Sequence, residues 1–175
     1  MSTPGTRVER TWYEVGGRSD DVALVTERFA TVASVLGSHL DEADVDLKVE
    51  RDDVPAVVRA ALESLRGRRR GRWARHARVQ VAEQGRGVDD PSDDPQVRRA
   101  RADVRRVAAY THVTLVAVDG ALVAAVHDGL VTAALTPQEV ALVTSRLVEQ
   151  PTEIVSAPTG LAALLSMRPR GPERR

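Results

Sequence analysis

The chain has 175 residues, 25 basic and 25 acidic side chains, and a formal net charge of zero. About 100–200 residues is the usual size of one domain, and 42% apolar with 29% charged residues is typical of a chain that buries a core. The absence of cysteine excludes disulfides and thiolate metal sites, and the balanced charge argues against a dedicated nucleic-acid domain. No apolar run reaches the roughly 20 residues that span a bilayer, and no apolar leader opens the sequence. We therefore expect a cytoplasmic protein.

The first third of the chain alternates predicted strands and helices. The predicted elements are a strand at 8–15, a helix at 19–37, a strand at 44–50 and a helix at 53–67. The first helix has one continuous apolar stripe, with Ser19 as its cap and Gly37 as a left-handed stop. The second strand alternates apolar and polar residues and therefore has one solvated face. Asp53 is the expected cap of the second helix.

The middle of the chain is dominated by arginine and then by aspartate. RGRRRGRWARHAR at 66–78 leads into a predicted strand at 73–82. EQGRGVDDPSDDP at 83–95 has the composition of a mobile acidic loop. A helix at 96–110 follows, opened by Asp94 and Pro95 and rich in arginine on its outer side.

The clearest pattern is HVTLVAVDGALVAAVHDGLVTAALTPQEVALVTSRLVEQ at 112–150. Its two Asp-Gly pairs predict tight turns between three antiparallel strands over 112–135. Thr136, Pro137 and Glu139 then form a capping-box pattern, with Val140, Val143, Leu147 and Val148 expected on the buried side of the helix. A short extended piece near 154 and a small helix at 159–167 complete the predicted elements.

These elements predict an α+β fold, in which helices cover one face of a largely antiparallel sheet with a C-terminal three-strand meander. We expect a single domain over 1–167 and a disordered basic tail at 168–175.

The sequence contains no recognisable catalytic, cofactor-binding or metal-binding motif. Its four histidines are scattered without zinc-ligand spacing, and no phosphate-cradling glycine motif or activated nucleophile motif appears. The aspartates of the acidic loop do not follow calcium-loop spacing. An enzymatic activity is therefore unsupported, and we expect neither a cofactor nor a metal.

The arginine-rich stretch carries the main functional signal and allows more than one interpretation. It provides a candidate polyanion-binding set comprising Arg68, Arg69, Arg70, Arg72, Arg75, Arg78 and Trp73. These residues could join the arginines of the 96–110 helix in one basic face, with Trp73 as a stacking surface. Alternatively, they form a solvated loop and a polar strand face, partly neutralised by the acidic loop, or they face an acidic protein partner.

The meander and helix at 112–150 resemble the C-terminal half of the EspG family, the cytosolic chaperones of actinobacterial type VII (ESX) secretion. The resemblance covers about 40 residues and implies a non-catalytic carrier that shields an apolar segment of a secreted partner. The leading hypothesis is thus a non-enzymatic protein-binding module, a secretion chaperone or adaptor that takes a partner segment in a groove or at a sheet edge. The alternative is arginine-dependent nucleic-acid binding through 66–78. The sequence leaves the oligomeric state open.

Overall fold

A computed structural model describes residues 9–49, 53–68, 75–82 and 94–154. The helices are α1 (Val22–Leu36), α2 (Ala56–Arg66), α3 (Pro95–Val107) and α4 (Pro137–Leu147). The strands are β1 (Thr11–Glu14), β2 (Leu40–Asp46), β3 (His76–Gln80), β4 (Val113–Ala117), β5 (Leu122–His127), β6 (Leu130–Leu135) and β7 (Thr152–Glu153). The predicted helix at 159–167, the tail at 168–175 and residues 83–93 of the acidic loop lie outside the described residues. Asp94 and Pro95 of that predicted loop are the N-cap and the first residue of α3.

The seven strands form one antiparallel sheet in the order β3-β2-β4-β5-β6-β1-β7. The predicted meander is confirmed as β4, β5 and β6. Asp128 and Gly129 both have positive φ (49° and 71°), as a two-residue hairpin turn requires. In the other turn only Gly120 has positive φ, and the Asp119 carboxylate accepts a hydrogen bond from the Ala121 N–H at 2.9 Å. Only the second Asp-Gly pair therefore forms the predicted type of turn.

All four helices pack on one face of the sheet, which we call the helix face. Alternate strand residues enter the core from this side, and these are Ala43, Val45, Ala77, Val79, Val113, Leu115, Ala124, Val126, Val131, Ala133 and Leu135. They meet apolar side chains of the helices, with α1 packed on β5 and β6, α2 and α3 on β3, and α4 on α1 and β6. The predicted α+β fold with helices on one face is thereby confirmed. The opposite face, which we call the open face, carries no helix among the described residues.

The second strand lies four residues before its predicted position. It begins at Leu40, directly after a 3₁₀ turn at Gly37–His39, and ends at Asp46. It ends there because the Asp46 carboxylate accepts a hydrogen bond from the Lys48 N–H at 2.9 Å, which turns the chain out of the sheet. Leu47 and Val49 therefore both lie outside the strand, although Leu47 is buried and Val49 packs against the core.

The helix ends differ from the sequence prediction where neighbouring residues compete for the cap. Asp21, and not Ser19, caps α1, because its carboxylate accepts hydrogen bonds from the Ala23 and Leu24 N–H groups. Gly37 is right-handed, since the 3₁₀ turn continues through it. The cap position of α2 is occupied by Pro55, so the expected role of Asp53 as its cap is wrong.

The predicted capping box of α4 is present and joins a larger polar cluster. The Thr136 hydroxyl accepts from the Glu139 N–H at 3.2 Å, and the Glu139 carboxylate accepts from the Thr136 N–H at 2.8 Å. Arg10 donates to the same carboxylate, with Nη2 at 2.8 Å from Oε1, and also to the Ala134 carbonyl at 3.0 Å. The side chains of Arg10 and Glu139 are only 16% and 10% exposed. This buried pair therefore joins the segment before β1 to the start of α4. At the other end of α4, the predicted burial of Val148 is wrong, because its left-handed backbone leaves it 95% exposed.

We predict that Glu139→Ala lowers the free energy of unfolding by about 3 kcal/mol, because it leaves the buried Arg10 guanidinium without its carboxylate. The control Glu63→Ala removes the exposed ion pair with Arg66 and should cost less than about 1 kcal/mol. Urea denaturation of both variants measures the difference. Equal losses would contradict the structural role of the Arg10–Glu139 pair.

Candidate functional site

A continuous row of cross-strand neighbours defines the open face. Strand pairing places Arg78 opposite Asp44, Asp44 opposite Thr114, Thr114 opposite Ala125 and Ala125 opposite Thr132. The row is charged at β2 and β3 and becomes small and uncharged towards β6. Thr114, Ala125 and Thr132 are nevertheless buried, so in this row only the β2–β3 part of the open face is a solvated polar surface.

Carboxylates of β2 neutralise the basic side chains of β3. His76 Nδ1 lies 2.9 Å from Asp44 Oδ1, and Arg78 lies 3.8 Å from the carboxylates of both Asp44 and Glu42. These groups alternate along their strands with the core residues, so they lie on the open face. The β2–β3 part of the open face is consequently a network of paired charges.

Asp46 is the most buried charged member of this network. Its carboxylate accepts hydrogen bonds from Arg75 Nε at 2.8 and 2.9 Å and from the Lys48 N–H at 2.9 Å. Burial by itself would raise the pKa of Asp46, but the hydrogen bonds from Arg75 and Lys48 outweigh it and lower the pKa below its ordinary value. Asp46 is therefore an anion at neutral pH, and its partner Arg75 holds it at the end of β2.

Beside Asp46 the structure has a cavity of about 380 Å³ at the end of the sheet. Its walls come from the start of α1, the end of β2, the residues after α3 and the β5–β6 turn. The polar residues that line it are Ser19, Asp20, Asp46, Lys48, Arg75, Tyr110, Thr111, His112, His127 and Asp128. The Thr111 hydroxyl lies 3.0 Å from the Lys48 carbonyl and also contacts the Asp46 carbonyl. The cavity walls carry both acidic and basic side chains. A cavity of this size and lining suits a small polar ligand better than an apolar one.

Two histidines meet inside this cavity. The rings of His112 and His127 lie on neighbouring strands with their centroids 4.7 Å apart, tilted by 45°. Burial lowers the pKa of His112 below its ordinary value of 6.5, and the nearby His127 lowers it further. Asp46 and Asp44 act in the opposite direction, whereas His76 acts with His127. His112 is therefore a neutral imidazole at pH 7, able both to donate and to accept a hydrogen bond.

The sequence analysis did not single out this histidine pair. The two residues are 15 apart in the chain, and the β4–β5 register places them opposite each other next to the Val113–Val126 pair. A two-residue turn at Asp119 and Gly120 predicts the same partners, because 118 opposite 121 leads to 113 opposite 126 and 112 opposite 127. The bulge between Leu115 and Val116 shifts only the partners next to the turn. The predicted hairpin therefore already contained the signal for this pair.

The described members of the arginine-rich stretch do not share one surface. Arg68 donates to the Gln96 carbonyl at 3.3 Å and so lies beside α3 on the helix side. Arg78 lies on the open face, and Arg75 is held at the sheet end by Asp46. The remaining candidates, Arg69, Arg70, Arg72 and Trp73, lie outside the described residues. The sheet thus separates Arg68 from Arg78.

The described parts of the chain contain no group of three or more His, Asp or Glu side chains that could hold a metal ion. Asp89, Asp90 and Asp93 of the acidic loop lie outside the described ranges. Among the helices that the structure describes, none has the length and apolar character needed to cross a membrane.

Comparison with known proteins finds no match for this chain among protein-family models, curated proteins or solved structures.

We predict that His112 makes folding stability depend on pH. The folded-state pKa of His112 is lowered, so the unfolded chain binds more protons as the pH falls through the ordinary value of 6.5. The contribution of His112 to stability is therefore fully present above that value and is lost as the pH falls from about 7 towards 5. Urea denaturation at several pH values measures the free energy of unfolding. Between pH 7 and pH 5 this free energy should fall less for His112→Gln than for the unmodified chain. The control His39→Gln, which removes an exposed histidine outside the cavity, should leave the loss unchanged. Identical pH profiles for His112→Gln and the unmodified chain would refute the prediction.

Proposed function

We propose that this protein is a non-enzymatic protein-binding module that takes an extended segment of a partner at the free edge of β3. The observation that carries the proposal is the position of β3 at the end of the strand order, with no described strand on its outer side. An edge strand offers unpaired backbone groups to which an extended segment can add as a further strand. The opposite edge is β7, which has only two residues and offers far less.

The pairing of β3 with β2 identifies the backbone groups that face outward. The Leu47 N–H donates to the Arg75 carbonyl at 2.9 Å, and the Val81 N–H donates to the Asp41 carbonyl at 2.8 Å. In an antiparallel pair such inward bonds fall on every second residue. The N–H and C=O groups of His76, Arg78 and Gln80 therefore point away from β2. An added strand would bond to these three residues, and its side chains would alternate between the helix face and the open face.

The more specific form of the proposal is a cytoplasmic chaperone or adaptor of type VII secretion in an actinobacterium. Its support is the resemblance of 112–150 to the EspG family, and this segment forms β4, β5, β6 and α4, a strand-turn-strand-helix unit. The absence of cysteine fits a reducing compartment. Genes for type VII secretion components beside the gene of this protein would support the specific form, and neighbours of unrelated function would count against it.

The β3-edge proposal is testable with proline at an outward-facing N–H. Random ten-residue peptides displayed on phage would be selected on the full chain, and the strongest binder synthesised. We expect Arg78→Pro to weaken its binding by about tenfold or more, because an outward hydrogen bond is lost and the ring obstructs the edge. The matched control Arg78→Ala removes the same side chain but keeps the N–H, and should bind nearly as the unmodified chain does. Proline is tolerated where the N–H of an edge strand faces outward, so circular dichroism should show both variants folded.

Hydrogen exchange gives a second readout on the same peptide complex. Bound peptide should slow exchange at the amides of His76, Arg78 and Gln80, since these face outward, more than at Ala77 and Val79. The proposal fails if no peptide is selected, if Arg78→Ala and Arg78→Pro lose binding equally, or if protection appears away from β3.

A further inference from the structure

The helices α2 and α3 form a surface with a strong excess of positive charge. Residues 53–68 and 94–107 contain eight arginines and four acidic residues, a net charge of +4 in a chain whose total is zero. The two helices pack against each other, and Arg68 at the end of α2 reaches the Gln96 carbonyl at the start of α3. We call their solvent side the α2–α3 arginine surface, which consists of Arg59, Arg66, Arg68, Arg98, Arg99 and Arg106.

Several of these guanidinium groups have no acidic partner in the described chain. Arg59, Arg98 and Arg99 are exposed and form no hydrogen bond or ion pair with a described residue. By contrast, the arginines of the sheet are paired, with Arg75 on Asp46 and Arg78 beside two carboxylates. The unpaired positive charge of the described residues is thus concentrated on the helix side.

The composition of this surface favours a phosphate polyanion over an acidic protein. Its cations are all arginine, whose planar fork matches phosphate oxygens. Protein interfaces need an apolar centre depleted of charge, whereas the exposed large apolar side chains of α2 and α3 are limited to Val57 among the described residues. Arg99 and Arg106 are separated by about 10.5 Å along the helix axis. That distance is close to three nucleotide steps of a nucleic-acid strand.

We infer that the α2–α3 arginine surface binds nucleic acid through its phosphodiester backbone, without reading the base sequence. No described aromatic side chain lies on α2 or α3 to stack on a base, so the expected affinity comes from phosphate contacts and counterion release. This site is separate from the β3 edge proposed for a protein segment, and either can fail without the other.

The test measures fluorescence anisotropy of a labelled 20-base-pair DNA duplex and a labelled 20-nucleotide RNA with the full chain. Potassium chloride is varied from 50 to 200 mM. Arg98→Gln combined with Arg99→Gln should weaken binding by roughly 10–100-fold and make the slope of log affinity against log salt shallower by about 2. Arg18→Gln combined with Arg78→Gln is the matched control, because it removes the same charge from residues outside the surface. This control should change the slope by less than 1.

Five results would overturn the inference. Four come from the binding curves: absent binding at 50 mM salt, binding that does not weaken with salt, equal losses in the two double variants, and undiminished binding by the Arg98/Arg99 variant. The last would show that Arg98 and Arg99 do not carry the contact. Competition by poly-glutamate as effective as competition by unlabelled duplex would also overturn it, in favour of an acidic polypeptide partner. Binding to both nucleic acids with the predicted loss and slope would support it.

Discussion

The strict alternation of side chains along β2 to β6 is the constraint on which the rest of this structure depends. Every second residue of these strands is Val, Leu or Ala directed at the helices, so a shift by one residue would place charges such as Asp44 in the core. This requirement holds all four helices on one face, because the described chain has only one continuous apolar sheet face to cover. This arrangement also determines the surfaces of the protein. The open face carries paired charges, α2 and α3 carry arginines without an acidic partner, and the outer edge of β3 has backbone groups that no described strand pairs with.

Two ion pairs with buried guanidinium groups attach the periphery to this framework. Arg10 and Glu139 join the segment before β1 to the start of α4. Arg28 of α1 donates to both carboxylate oxygens of Glu149, at 2.9 and 2.8 Å, and to the Gly17 carbonyl at 2.9 Å. Each guanidinium also donates to a backbone carbonyl. The pair therefore fixes the relative position of the two segments that it joins, which a purely apolar contact would not do. The cavity with His112 lies where the start of α1, the end of β2, the residues after α3 and the β5–β6 turn converge.

Local sequence patterns predicted the elements well because their determinants lie close in the chain. The Thr136–Glu139 capping box, the Asp94–Pro95 helix start and the Asp128–Gly129 turn each depend on two to four neighbouring residues. Prediction was wrong where one position had competing partners. Asp21 replaced Ser19 as the cap of α1, and the turn formed by Asp46 and Lys48 ended β2 before Val49. The candidate site was less predictable: the opposition of His112 and His127 follows from the predicted hairpin, but the cavity around them is built from α1, β2, the residues after α3 and the β5–β6 turn, which are distant in the chain.

The sequence by itself determined the fold class, the meander and the buried side of β2 and β3, because periodicity and turn chemistry are local properties. Only the tertiary structure decided the strand order β3-β2-β4-β5-β6-β1-β7, and with it which strand lies at the free edge. It also decided that Arg68 and Arg78, ten residues apart, lie on opposite sides of the sheet, and that Arg78 meets Asp44 and Glu42. The physical reason is that pairing between distant strands is set by the shared burial of the whole core, which no short segment encodes.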